Sequence, residues 1–480
     1  MKKFKLTALI CIIAAVLISH AAAISDNYTY GTDKQPYLEP DAYMPVGVIN
    51  GSSLGISDFS NPSDVFAAPD GSVYIADTNN SRIVVVKPDS GRYRLIKTID
   101  KFADGDKTET FNKPQGIFVT AAGDIYIADT DNGRVVRLDR NADFVKEYKN
   151  PPEVVALTDY VYRPVRVSVD VNGRLFIVSL NLNKGMIQLD PEGNFISFYG
   201  ATRAPVNFAA ALWRRILSQT QIDSGQQSLP TEYSANAIDS EGFVYGSITF
   251  DTTEARVRRL NPTGVDILRS NGIVPPVGDI STVRENDTEI SSRMIDICVG
   301  SDGIYAMLDS QRGRVFVYDL DGNLLYIFGG IGEGMGKFKS ARAVDTAENG
   351  SYFVSDNVLN CIVEFAPTEY ALNINQAVKH QHNREYSAAE KQWEKVLDYS
   401  TNSELAFIGM GKSLYRLGSY EKAMEYFELG GDRALYSKAF KEYRRQLISE
   451  NFSLIITVVL IIAAGIFVFR AFRKRRRRNV

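Results

Sequence analysis

One pattern returns six times along this chain, and it limits the possible folds more than any other feature. An apolar stretch runs into a Gly turn, then come an apolar-aromatic strand, a polar loop, another strand, a turn and a last strand. The clearest copies are Asn61-Pro-Ser-Asp-Val-Phe-Ala-Ala-Pro-Asp-Gly-Ser-Val-Tyr-Ile-Ala-Asp-Thr-Asn-Asn-Ser-Arg82 and Lys113-Pro-Gln-Gly-Ile-Phe-Val-Thr-Ala-Ala-Gly-Asp-Ile-Tyr-Ile-Ala-Asp-Thr-Asp-Asn-Gly-Arg134. The turn glycines fall at Gly71, Gly123, Gly173, Gly242, Gly303 and Gly350, each followed within three residues by Tyr or Phe. A unit of four short strands cannot bury its own faces, so such units stack radially as the blades of a propeller. The expected fold is therefore mainly β, a six-bladed propeller spanning 42–368.

The last repeat, 340–367, shows three strands and then turns helical, so it lacks a fourth. Ala42-Tyr-Met-Pro-Val-Gly-Val-Ile-Asn-Gly51 resembles Leu325-Tyr-Ile-Phe-Gly-Gly-Ile-Gly332, the stretch that ends one repeat and leads into the next. The N-terminal strand is thus the natural donor to the last blade, and pairing the two removes the open sheet edges. Residues 24–41, polar and turn-rich, read as a loose linker.

Tyr74-Ile-Ala-Asp-Thr-Asn-Asn-Ser-Arg-Ile83 and Tyr126-Ile-Ala-Asp-Thr-Asp-Asn-Gly-Arg-Val135 carry a resemblance to the NHL family of six-bladed propellers. The Asp and the Arg five residues on persist in Asp309 to Arg314 and Asp251 to Arg256. The third repeat has Ser179 and Lys184 instead, and the sixth Asp356 and Cys361. The resemblance covers roughly 42–367 and implies a fold rather than a ligand, because NHL propellers host both enzymes and binding scaffolds. The Asp/Arg pairs are expected to tie the loop between two strands by a charge-assisted bond.

From Tyr370 the apolar period changes from two to 3.6. Ala377, His380, Tyr386, Ala389, Trp393 and Val396 recur 34 residues later as Gly411, Leu414, Tyr420, Ala423, Phe427 and Gly430. This stretch, 369–450, resembles tetratricopeptide (TPR) repeats, in which small residues let paired helices approach and large ones fill the gaps. The resemblance implies a docking surface for a membrane or cell-surface protein.

Both ends carry membrane signals. Residues 1–23 combine a positive start, an apolar run and Ala21-Ala22-Ala23, as a signal peptide does. Residues 451–470 form an uncharged apolar run of spanning length, and 471–480 a basic tail. Positive residues stay on the cytoplasmic side, so the expected protein is single-pass, with propeller and helices outside the cytoplasm. Arg470 to Arg478 are almost all cationic within a formal net charge of -3, so the remainder is acidic and a nucleic-acid partner is not expected. The tail is expected to meet the lipid bilayer. Of the three cysteines, Cys11 lies in the apolar leader, and Cys298 and Cys361 read as buried free thiols.

Histidine usage narrows the chemistry. Only His20, His380 and His382 exist, so the propeller has no imidazole for zinc binding or for general-base work near neutral pH. Gly329 to Gly336 leads to another strand rather than a helix, so it is a connection and not a phosphate loop. The six inner-strand starts bring Asn61, Lys113, Arg163, Tyr233, Arg293 and Lys339 to one face, and three residues on Asp64, Gly116, Arg166, Asn236, Asp296 and Arg342. This ring, with six cations, suits an anionic or carbohydrate ligand, with Arg163, Arg166, Arg293 and Arg342 as anchors. Two insertions are expected on the same face: 205–230, whose amphipathic helix offers Trp213 as a stacking or lid residue, and 271–292 with Pro275-Pro276. Asp64, Asn236 and Asp296 could instead supply oxygen ligands to calcium in a lactonase- or lyase-like enzyme. No other cofactor is expected and no catalytic constellation stands out, so a binding or scaffold protein is the leading expectation.

Overall fold

The computed structural model describes residues 27–155, 157, 160–201, 232–249, 256–280, 283–285, 288–300 and 303–476, with the side chains of 283–290 and 475–476 left out. Six antiparallel sheets follow one another in chain order, each running outward from an innermost strand. Blade 1 is Pro62–Ala67, Val73–Asp77, Arg82–Asp89 and Arg92–Ile99. Blades 2, 3 and 5 repeat the plan from inner strands Pro114–Val119, Pro164–Val169 and Met294–Val299. Blade 4 shows three strands, beginning with Tyr233–Ile238. Blade 6 is Ala341–Thr346, Tyr352–Asp356 and Cys361–Pro367, and its fourth strand is Tyr43–Ile49 from the other end of the chain, with Ile49 opposite Ile362 and Tyr43 opposite Pro367. The expected closure is therefore the one found.

The turn glycines work for a steric reason. Gly71, Gly123, Gly173, Gly242, Gly303 and Gly350 all have φ between 76° and 91°, where a Cβ is strained. The aromatic that follows each enters the layers between blades. Tyr74, Tyr126, Phe176, Tyr305 and Tyr352 are all buried, as are both described thiols, Cys298 and Cys361.

Two segments depart from expectation. Residues 27–41 are not a loose linker: Tyr28–Tyr30 and Pro36–Leu38 pair as a hairpin. Asn27 Oδ1 accepts the N–H of Ile327 at 2.8 Å on the outer strand of blade 5, so the hairpin covers that edge. The segment around Pro275-Pro276 does not project as a loop. Val274, Pro276 and Gly278 are buried, and Val274 joins the cluster containing Tyr305, Phe316 and Tyr318. Prolines lack the N–H of a ladder, so this segment packs by side chains where a regular strand would bond. The helix proposed around Trp213 lies outside the described residues, as does the leader.

The chain forms two compact units that divide between Asn375 and Gln376. Helix α1 (Glu369–His382) bridges the division; α2 (Tyr386–Tyr399), α3 (Glu404–Arg416), α4 (Tyr420–Leu429) and α5 (Arg433–Glu450) follow. A Cβ on Gly409 would collide with the Trp393 indole and one on Gly411 with the Phe427 ring, so the small-to-large spacing read in the sequence is a packing device. Ser403 and Asp432 cap α3 and α5, accepting from Ala406 and from Ala434 and Leu435. Helix α6 (Phe452–Arg476) contains a stretch, Phe452–Lys474, long and apolar enough to cross a membrane.

Candidate functional site

The repeat's Asp first earns its place as a fastener. Asp77 Oδ1 accepts the N–H of Ser60 and Asp129 Oδ1 that of Asn112, both at 2.7 Å, where the chain enters the inner strand. Their other oxygens take Arg82 Nε at 2.6 Å and Arg134 Nε at 2.9 Å, the expected pairs. Thr78 and Thr130 donate to the Pro114 and Pro164 carbonyls of the next blade at 2.8 and 2.7 Å, which explains the Ala-Asp-Thr order. Asp309 instead meets Arg312 at 3.3 Å, while Arg314 turns to Tyr28 and Asp279.

The inner strands converge on the axis with a second set of fasteners. Asp64 Oδ2 accepts from Ile117 at 2.8 Å, Asp296 Oδ2 from Val344 at 2.8 Å, and Asp345 Oδ2 from Ala67 at 2.7 Å, each bond linking one blade to the next. Gly116 occupies the corresponding place in blade 2 because a Cβ there would collide with the Val165 carbonyl.

Arg166 spans this hub. Its guanidinium donates to the carbonyls of Gln115 (2.9 Å), Val165 (3.1 Å) and Ser63 (3.1 Å), and lies 3.6 Å from Asp64 and 3.5 Å from Asp296. All three side chains are at least nine-tenths buried. Arg166 thus ties the scaffold through its two terminal nitrogens, while its buried Nε has no hydrogen-bond partner among the described residues. The same geometry tests the calcium expectation. The Asn236 amide donates to Ser168 and Phe176, leaving its buried Oδ1 unpartnered, but the two carboxylates close on a guanidinium instead of converging with it. The residues present do not fit a calcium ion, and among the described residues no three His, Cys, Asp or Glu side chains are placed to hold a metal.

The other cations divide. Lys113 and Arg163 both pair with Asp131, at 3.2 and 2.5 Å. Arg293 and Lys339 are exposed, and their backbone N–H groups donate to Asp309 and Asp356. Tyr233 is not at the ring: it is buried and donates to the Gly200 carbonyl. Asn61 takes φ 56° and donates its N–H to Asn360. Arg342 remains. It is half-buried and, among the described residues, makes no hydrogen bond or ion pair. Desolvation lowers its pKa, and the positive charges of Arg166 and Arg293 lower it further, against Asp296 and Asp64.

The hub makes stability depend on pH. Desolvation pushes Asp345 up to about 8 and Asp64 up to about 7, and raises Asp296, with Arg166 opposing the shift for the last two. An unfolded Asp titrates near pH ~4, so the folded chain holds the extra protons between there and about pH 8. A raised carboxyl stabilises the folded state at the acid end of that window, and the stability is lost as pH rises through the folded value. The melting temperature should accordingly fall from pH 5.5 to 8.5. Asp345→Asn, which can still accept from Ala67, should flatten the fall in differential scanning calorimetry of the full chain; an unchanged slope would assign the effect elsewhere.

The sequence reading missed Asp131, Asp279 and Asp345. Only Asp345 left a signal, a carboxylate on an inner strand beside Val344.

The fold and its fasteners define a β-propeller scaffold with NHL repeats. The NHL repeat model matches residues 59–86 and 111–138, the first two blades. One curated relative, the Arabidopsis thaliana protein Suppressor of Quenching 1, chloroplastic, is 26% identical over 162 residues. That match takes in 28% of this chain and spans about 15% of the relative's length. Among solved structures, a streptogramin B lyase is 13% identical with a TM-score of 0.41, covering 68% of this chain and 98% of its own. Virginiamycin B lyase from Staphylococcus aureus is 10% identical at 0.40, covering 67% and 98%. A protein described as a putative gluconolactonase is 12% identical at 0.40, covering 68% and 94%.

Proposed function

We propose that this chain is a membrane-anchored, extracytoplasmic binding protein. Its propeller takes an anionic or acidic carbohydrate ligand at the channel mouth, and its TPR-like helices dock a membrane or cell-surface protein. One observation carries the ligand reading: Arg342 keeps a half-buried guanidinium without a hydrogen bond or ion pair among the described residues, beside a second cation, Arg293. Desolvation and Arg166 disfavour the charge of Arg342 more than Asp296 and Asp64 favour it, so an incoming anion would stabilise it, and its planar fork suits carboxylate or phosphate. The apolar helix Phe452–Lys474 supports the anchor, and the Gly409/Trp393 and Gly411/Phe427 packing supports the TPR-like reading. No comparable observation favours the lactonase- or lyase-like alternative.

The test is an array of anionic glycans and polymers probed with the full chain in nanodiscs. Arg342→Ala should weaken binding of every acidic hit about thirty-fold, the loss of one charge-assisted contact of roughly 2 kcal/mol. Arg293→Ala should weaken it less, since that side chain is exposed. Unaltered affinity in Arg342→Ala, or neutral hits only, would refute the site.

A further inference from the structure

A recess of about 550 Å³ lies away from the channel mouth, at the seam where blade 6 meets blade 1. It is framed by three turns: 67–71 after the inner strand of blade 1, 88–93 between the two outer strands of that blade, and 347–349 after the inner strand of blade 6. Its size suits a small molecule, and its walls are mostly apolar, from Val46, Ala68, Pro69 and Pro88 among others. Two rings define its inner end, Tyr93 and Phe353, which meet edge to face with centroids 6.1 Å apart. Glu364 stands directly across the sheet from both Phe353 and Gly47. Gly47 keeps that carboxylate over the strand, since a Cβ there would approach Glu364 Oε2 to 3.3 Å.

The polar lining is unbalanced. Asp70, Glu348 and Glu364 contribute three carboxylates, against the single guanidinium of Arg92. Asp70 is shared with Lys87 at 3.6 Å, outside the lining, but the other two carboxylates have no cation at that range among the described residues. The Tyr93 phenol faces Glu364 and is raised by burial first and by that carboxylate next, and Glu364 itself is half-buried. Side-chain amide and guanidinium donors in the lining come from Asn349 and Arg92, too few for a polyol, and after Arg92 is set against one carboxylate the lining still carries an excess of negative charge.

From this juxtaposition of cleft, aromatic pair and excess carboxylate we propose a second binding site, for an organic cation: an ammonium group on an apolar body. The ammonium would lie between Glu364 and the face of the Tyr93 ring, where both ion pairing and the ring quadrupole favour it, with the body against the apolar turns. The site is independent of the channel-mouth reading, since it lies at other residues and takes the opposite charge, so either stands if the other fails.

The test titrates the full chain, held in zwitterionic nanodiscs, with 1,5-diaminopentane, and with 1,5-pentanediol and glutarate as neutral and anionic counterparts, by isothermal calorimetry. Saturable heat is expected from the diamine alone. Glu364→Gln should weaken it about tenfold, and Glu348→Gln by a smaller factor. A parent-like melting temperature in both variants makes the comparison valid; if Glu364→Gln melts early, Gly47→Ala displaces the same carboxylate and should weaken the diamine instead. No saturable diamine heat, equal binding of the diol, or parent-like affinity in variants that fold would overturn the proposal.

Discussion

Arg166→Met should destabilise the propeller by about 3–5 kcal/mol, the usual cost of removing one partner from a buried charge cluster. Asp64 and Asp296 would lose the only cation within 4 Å among the described residues, and the carbonyls of Ser63, Gln115 and Val165 would lose their donors. Arg166→Lys should rescue little, because an ammonium offers no fork that serves two carboxylates and three carbonyls at once. Adding Asp64→Asn and Asp296→Asn to Arg166→Met should recover most of the loss, since each Asn can still accept from Ile117 or Val344. Urea unfolding of the four proteins checks this. If the triple variant is no better than Arg166→Met, the guanidinium acts through its carbonyl contacts rather than through charge.

Asp279→Ala should cost a similar amount, about 3 kcal/mol, and release the N-terminal hairpin. Its two oxygens accept the phenols of Tyr28 and Tyr30 at 2.6 and 2.5 Å, while Arg312 and Arg314 lie at 3.3 and 3.6 Å. The carboxylate is 6% exposed, so its removal leaves two phenols without their acceptor and takes one of the carboxylates facing the buried Arg312 guanidinium. Limited proteolysis separates this from general unfolding: cleavage within 27–41 should precede cleavage in any blade. Simultaneous loss of hairpin and blades would show that the hairpin is not an independent unit. Asp279→Asn should sit between parent and Ala, keeping an acceptor but not the charge.

The architecture was legible because every blade announces itself locally. A Gly with positive φ, an aromatic within three residues and an Asp at the next corner are set by neighbours in the chain; the Gly and the aromatic recur in all six copies, and the Asp gives way to Ser179 in the third. The closing strand was legible too, because Tyr43–Ile49 repeats the apolar spacing of the outer strand it replaces. The ring could be placed but not sorted. Arg166 and Arg342 hold the same repeat position, yet one is buried across the hub and the other stays half-buried and unpaired among the described residues. That difference depends on which opposing blade supplies a carboxylate at reach, a relation between residues more than a hundred positions apart. Asp279 and the hairpin escaped for the same reason, since Tyr28 meets it from 251 positions away.

The mixed strand origin of blade 6 has a consequence for the order of assembly. Ile49 and Ile362 lie more than 300 residues apart in the chain, and joining ends so distant costs roughly 5 kcal/mol of loop entropy before any contact repays it. Five blades can form as each hairpin is synthesised, but the sixth must wait for Pro367 to exist and then recruit a segment made first. Until that moment the ring is an open arc with two unpaired strand edges, the form most prone to pairing with another chain. Sealing is thus the slowest step expected in folding, and the seam between blades 6 and 1 is where mechanical or thermal stress should open the molecule first.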